Sequence, residues 1–463
     1  MTYDYETYLS PMTWRYGSTE MRRLWSEAHK RRLWRRIWVE LAAVQAEYGL
    51  VSAEQAAELR RHQDEVDITL ALELEAEIHH DLMAELQVFA GQSGAAGEAL
   101  HLGATSVDIE DNADALRIGE ALDLIVIRLG ELLEGFCDQI ERWAETPAMA
   151  FTHLQPAEPT TLGYRLAGWA QDLHGDCKNL KHKRASLRGK GFKGAVGSRA
   201  SFGELIGLEN LDEFERRLSA RLELAFYPIT TQTTPREQEY HLLCALAGMG
   251  ASLYKFAFDL RLLQSPPLGE LSEPFGARQV GSSAMPFKRN PIQAEKIDSL
   301  ARALAQLPRL AWDNAAHSLL ERTLDDSANR RSLLPEAFLI SDELLRASTR
   351  IIQGLQVNET ALRRNLAIYG PFAATERLLM RLVKKGADRQ AMHARLRVHA
   401  LEAWQAVEAG QANPLGELVE AEAEFLKYLT KEQIRACLQA VDYTCDAAPR
   451  ARRLAAEIRA GIS

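Results

Sequence analysis

Residues 106–146 contain no proline, and their apolar residues follow two helical stripes rather than one. Leu122, Ile125, Leu129, Leu132 and Phe136 recur at three- and four-residue steps along one face. Val126, Leu133 and Ile140 form a second stripe at seven-residue spacing. A helix of about 40 residues would be ~60 Å long at 1.5 Å per residue, more than a small domain needs. Two stripes demand burial on two sides, as at the centre of a large bundle. Ser106 lies where an N-cap would, and Thr105-Ser106-Val107-Asp108 has the spacing of a capping box.

Further proline-free stretches cover 160–188 and 236–265, the second opened by Pro235 and closed by Pro266-Pro267. Alternating strand patterns are almost absent, so the expected class is all-α. Glycine- and proline-rich breaks at 152–163, 189–207 and 266–291 predict irregular loops gathered at the bundle ends, where function concentrates. Past residue 357 the pattern changes to short, charged, alanine-rich helices interrupted near Gly370-Pro371. Three helical domains are therefore expected: 1–105, a central long-helix bundle at 106–357, and 358–463. At roughly 150 residues per domain, 463 residues agree with three.

Charge and cysteine usage narrow the function classes. Lys and Arg number 55 against 64 Asp and Glu, a net charge of −9, which argues against a nucleic-acid binder. No run of about 18 uninterrupted apolar residues suggests a membrane span. The acidic start, Met1-Thr-Tyr-Asp-Tyr-Glu6, is unlike a signal peptide, so a soluble, cytoplasmic protein is expected. Cys137, Cys177, Cys244, Cys437 and Cys445 form no CxxC pair and are expected to be reduced thiols, buried or half-buried.

Several local patterns have plain explanations. Gly189-Lys-Gly-Phe-Lys-Gly194 fits GxGxxG, but it follows a charged helical stretch instead of a strand and is expected to be a flexible loop. Arg31, Arg32, Arg35 and Arg36 flank an apolar face and are expected to be its solvated edge. The pair His79-His80 lacks the companions of a metal site, and no metal or cofactor is expected.

The segment Gly281-Ser-Ser-Ala-Met-Pro-Phe-Lys-Arg-Asn-Pro291 is different. It joins a small-residue turn, two hydroxyls, two cations and an amide, with Pro291 placed to start a helix. Backbone N–H groups beside a helix N-terminus and Lys288 would stabilise an anion strongly.

This segment resembles the signature loop of the fumarase/aspartase superfamily, GSSxMPxKxNP. Two other blocks stand in the family's order: His101-Leu-Gly-Ala-Thr-Ser106 with Asp108 and Asp111, and Thr152-His-Leu-Gln-Pro-Ala157 with Pro159-Thr-Thr-Leu-Gly163. Within the superfamily the chain is most similar to the adenylosuccinate lyase family. That likeness rests on Ala284 and Arg289 in the loop, Glu321-Arg-Thr-Leu-Asp-Asp-Ser-Ala-Asn-Arg-Arg331, Arg15-Tyr16 and Thr231-Gln-Thr with Arg236. It runs from about residue 10 to the end and is weakest over the last hundred residues.

The resemblance implies a fumarase/aspartase-like fold whose long helices form a tetrameric core. It also implies β-elimination of fumarate from a succinylated purine nucleotide or its precursor. Ser282 would be the base, on a lid spanning 266–291, and His153 the acid, oriented by Glu295. Lys288 and Asn290 would hold the carboxylate that becomes part of fumarate. His80 and Gln232 would position substrate near the leaving nitrogen. Arg15, Arg322 and Arg331 would meet phosphate or carboxylate, with Ser327 nearby and Thr105 and Ser106 at a helix N-terminus. Tyr16, His79, Asp81 and Lys296 complete the expected substrate contacts. His79 stands where the family often has arginine, Lys296 where an arginine contacts phosphate, and Phe287 where histidine or tyrosine is usual. A homotetramer with shared sites and a small-molecule substrate is implied. A sister lyase, a cycloisomerase or a non-catalytic structural relative are the other readings.

Overall fold

A computed structural model describes residues 5–462. Among them are 21 α-helices and two two-stranded antiparallel sheets. The all-α expectation holds. The longest helix spans Ser106–Trp143, with Leu122, Ile125, Leu129, Leu132, Leu133, Phe136 and Ile140 buried and Val126 half-buried. Helices Leu162–Ser186 and Glu237–Gln264 match the other two proline-free stretches. Glu237–Gln264 is apolar and long enough to match a membrane span by composition, yet Leu243, Leu246, Met249, Leu253, Phe256 and Leu260 are buried inside the protein.

The chain divides by packing into two compact units. One comprises the residues up to Leu129, Asp176–Ala251 and Ser299–Arg346; the other comprises Gly130–Gly175, Ser252–Asp298 and the chain from Ala347. The long helices each supply part of both units, so this partition differs from three consecutive regions with borders at 105 and 357.

The core of the first unit gathers Trp34, Ile37, Trp38 and Leu41 of helix Glu27–Glu47 around Phe89, Ile109, Phe192, Phe202 and Phe214. Arg31 and Arg35 are not a solvated edge. Both are buried, donating to Glu85 at 3.0 and 2.6 Å, and Arg35 also lies 4.7 Å from the centre of the Phe89 ring. The buried Glu85 makes this arrangement tolerable, because a buried charge persists only when paired.

The loop Gly189–Gly194 likewise differs from expectation. Lys190, Phe192 and Lys193 are buried, and the loop wraps the Asp108 carboxylate. That carboxylate pairs with the Lys190 ammonium and accepts the N–H of Lys193 at 3.1 Å and of Gly194 at 3.1 Å. It also accepts the Thr105 N–H at 3.0 Å, which is the back-reaching half of a capping box. Because the helix begins at Ser106, Thr105 holds the capping position and Ser106 is the first helical residue. One turn on, Asn112 bonds both the N–H and the carbonyl of Gly191, which has a φ of 80°.

In the second unit, Phe136 and Trp169 meet Phe256 edge-on at 5.2 and 5.3 Å. The break at 152–163 is largely a β-hairpin, Pro147–Thr152 paired with Gln155–Thr161. Pro156 and Pro159 mask its strand pattern, and a two-stranded ribbon tolerates them because each strand has a free edge. Met149 and Phe151 of the hairpin pack with Leu366, Tyr369 and Ala373 of helix Glu359–Ala373. That helix continues through Gly370-Pro371, and a side chain at Gly370 would approach the Ala440 methyl to 2.6 Å. Leu378, Leu382, Leu396, Phe425 and Ile434 form a C-terminal core. The cysteines are all free; Cys137, Cys177 and Cys437 are buried and Cys244 is half-buried, but Cys445 is exposed, contrary to expectation.

Replacing Asp108 with Asn should destabilise the protein by about 3–5 kcal/mol, because the fully buried Lys190 loses its counter-charge. Urea denaturation monitored by circular dichroism measures the shift.

Candidate active site

The first unit contains a pocket in which six cations, Lys30, Arg117, Arg236, Arg322, Arg330 and Arg331, face Asp81, Glu110, Asp111 and Asp114. The phase of the long helix places Val107, Glu110, Asp111 and Asp114 on one side, at steps of three, one and three. Arg236 opens the helix Glu237–Gln264, and Ser327, Arg330 and Arg331 open the helix Ser327–Gln353.

These cations differ in how fully they are already engaged. Arg236 is buried between Asp111 at 3.0 Å and Asp326 at 2.7 Å. Arg330 bridges Asp114 at 3.0 Å and Glu239 at 2.6 Å. Arg322 meets Asp326 at 2.7 Å, and Arg331 meets Asp81 at 2.9 Å with about half of its side chain exposed. Burial alone would raise the Asp81 carboxyl, but the Arg331 hydrogen bond and charge hold it below its usual range. Arg322, Arg331, Ser327 and Asp81, all expected from sequence, thus share one pocket.

His79 adopts a left-handed conformation, φ 57°, where it ends the helix Ile68–Ile78. The chain turns there, and His80 directs Nε2 to the Ser106 hydroxyl at 3.4 Å. Ser106 and Thr105 sit at the positive end of the 38-residue helix, a favourable place for an anion. Gln232 is fixed through its backbone N–H to the Glu321 carbonyl, 3.2 Å, and is not among the pocket-lining residues. Arg15 and Tyr16 also lie outside that lining; Arg15 is exposed, 5.6 Å from the Trp14 ring and 6.0 Å from that of Tyr16.

The second unit carries the signature loop. Ser282 accepts the N–H groups of Ala284 and Met285 at 3.3 and 3.1 Å. The Asn290 amide donates to the Gly281 carbonyl at 2.9 Å, closing the loop. Gly281 packs against the Lys288 carbonyl so closely that a Cβ there would collide with it. Gln264 staples the base of the loop by donating to the Arg289 carbonyl and accepting the Glu273 N–H. The buried Glu273 carboxylate accepts the Gln293 and Ala294 N–H groups at 3.0 Å each, capping the helix Ile292–Leu304. Burial raises the Glu273 carboxyl above the ordinary value despite those bonds. Glu295 lies in the first turn of that helix with Lys296 directly after it, and Glu295 is 3.8 Å from Arg261.

His153 and Leu154 are the two central residues of the β-hairpin, with φ of 54° and 60°. Two-residue turns with both φ positive favour Asn and Gly, so this pair stores strain. The turn presents an exposed imidazole at the tip. Among the described residues no hydrogen bond or ion pair joins His153, Ser282 and Glu295 to one another. The structure therefore gathers Ser282, Lys288 and Asn290 in one loop, Glu295 and Lys296 on the adjoining helix, and His153 on a separate hairpin.

Sequence reading did not single out Lys30, Glu110, Asp114, Arg117 and Arg330 as pocket residues. The spacing of acidic residues at the start of the long helix was the available signal for Glu110 and Asp114.

A family model described as lyase matches residues 17–304, and one described as adenylosuccinate lyase C-terminus matches 371–454. Adenylosuccinate lyase from Schizosaccharomyces pombe is 38% identical over 90% of this chain and 88% of its own. That from Saccharomyces cerevisiae is 38% identical over 93% and 90%. The crystal structure of 3-carboxy-cis,cis-muconate lactonizing enzyme from Pseudomonas putida superimposes with a TM-score of 0.85 at 25% identity, covering 97% of this chain and 98% of that one. The chain belongs to the adenylosuccinate lyase family.

Glu273→Ala should loosen the loop base, costing about 1 kcal/mol as lost helix caps do. Amide hydrogen exchange should rise across residues 274–294 and remain unchanged in the Gly189–Gly194 loop.

Proposed function

We propose that this chain cleaves the C–N bond of adenylosuccinate, releasing fumarate and AMP, and acts in the same way on the succinylated imidazole-carboxamide precursor. The observation that carries this reading is 38% identity, over 90% of the chain, to a relative of that name. The cationic pocket supports it, because the substrate brings two carboxylates and a phosphoryl group.

Ser282 removes the proton from the carbon next to the carboxylate, and the electron pair moves into that carboxylate. Lys288 and Asn290 stabilise the charge that develops there. The C–N bond then breaks, and His153 delivers a proton to the departing nitrogen. An imidazole suits this role because it exchanges protons near neutral pH. Glu295 orients that imidazole, while His80 and Gln232 steer the leaving group. A serine hydroxyl is a poor base in water, so the 266–291 loop closes over the substrate and excludes solvent before proton transfer. Arg322, Arg331 and Ser327 receive the phosphoryl group, with Arg15, Tyr16, His79, Asp81 and Lys296 around the remaining substrate. The helix end at Thr105-Ser106 receives a carboxylate. No step requires a metal or cofactor.

The same reading makes the protein a cytoplasmic homotetramer. His153, Ser282 and the cationic pocket then converge across subunits, and exposed Phe258 and Leu262 gain partners.

Fumarate release from adenylosuccinate, followed by absorbance, tests the reaction; argininosuccinate should give none. Ser282→Ala should keep substrate affinity within a few-fold and lose turnover by at least about a thousandfold, and near-parental turnover would remove Ser282 from the mechanism. Mixing inactive Ser282→Ala with inactive His80→Ala subunits should restore part of the activity. No recovery in confirmed hybrid tetramers would count against shared sites.

A further inference from the structure

Glu110 is a charged member of the cationic pocket to which the reaction above assigns no task. It lines that pocket with Arg322, Ser327 and Arg331. Each aspartate around it is already engaged: Asp81 by Arg331, Asp111 by Arg236, Asp114 by Arg330. Glu110 forms no hydrogen bond or ion pair among the described residues, although the pocket holds six cations. Its half-buried side chain lines the pocket, within reach of anything that enters it.

We propose that Glu110 acts as a carboxylic acid donating a hydrogen bond to the phosphoryl group of the substrate, so that nucleotide binding takes a proton with it. This assignment rests on the reading that the pocket receives that group.

The electrostatics favour the acid form. Its own helix presents Asp111, Asp114 and Arg117; the helix Asp81–Gln92 presents Asp81; Lys30 comes from Glu27–Glu47. Arg236, Arg322, Arg330 and Arg331 approach from the remaining walls. Burial and then the charges of Asp81, Asp111 and Asp114 push the Glu110 carboxyl up to about 7, with Arg331 opposing them. A protonated carboxyl donates a hydrogen bond, whereas a carboxylate only accepts and would repel a phosphate dianion. With Glu110 neutral, the six cations face three carboxylates, and the pocket is more positive by one charge.

The second ionisation of a phosphate monoester lies near 6, so AMP remains a dianion from pH 7 to pH 8.5 and only the protein titrates there. Calorimetric titration with AMP should show the dissociation constant rising about tenfold across that interval. In Glu110→Gln, which keeps a donor at every pH, the constant should stay within about twofold. Adenosine, which lacks the phosphoryl group, should show no such rise with either protein.

A variant whose AMP affinity falls as steeply as the parent's overturns the proposal. So does an equal slope with adenosine, or no AMP binding at any pH. Fumarate release measured on the same samples separates this inference from the lyase reading. Proton-linked AMP binding without fumarate release would sink the reaction and support Glu110; fumarate release with flat AMP binding would do the reverse.

Discussion

One buried carboxylate organises the first unit. Asp108 stands in the first turn of the longest helix, where it neutralises Lys190, satisfies the N–H groups of Lys193 and Gly194, and reaches back to Thr105. A charge with no exposure to water is tolerable only when its lone pairs are occupied, and here they are. The contact locks the start of the helix, and a rigid helix propagates its phase. Thr105 and Ser106 are thereby held at its positive end, and Glu110, Asp111 and Asp114 are turned into the pocket.

The pocket shows a division of labour among its cations. Arg236 and Arg330 are each bound by two or more carboxylates, and such closed networks stiffen the wall of the pocket. Arg331 pairs with Asp81, and about half of its side chain is exposed, so it is the less enclosed of these guanidiniums. An acidic chain can thus line a pocket with more cations than carboxylates, because local arrangement and not net charge sets the field there.

In the second unit the chemistry-bearing groups are set by backbone geometry. Asn290 and Gly281 fold the signature loop on itself, Gln264 and Glu273 fasten its base, and a strained two-residue turn carries His153. The strained pair His153-Leu154 is held between Thr152 and Gln155, which the hairpin ladder pairs directly.

The sequence by itself determined the long helices, since apolar spacing and the absence of proline act through local periodicity, and it marked the loop at 281–291, whose motif is contiguous. It also singled out Arg322, Ser327 and Arg331 through a contiguous block, and the fold brings them to one pocket. The hairpin at 147–161 was illegible because prolines hid its alternation, and helix Glu359–Ala373 ran through a proline expected to interrupt it. Tertiary structure alone decided that Arg31, Arg35, Lys190 and Lys193 are buried: their fate depends on Glu85, Asp108 and Glu215, which lie between 22 and 82 residues away. It alone placed Glu110 among three aspartates, where burial and their charges push its carboxyl above the ordinary range. Charge is read from composition, but its energy depends on distance and burial, and those exist only after the chain has packed.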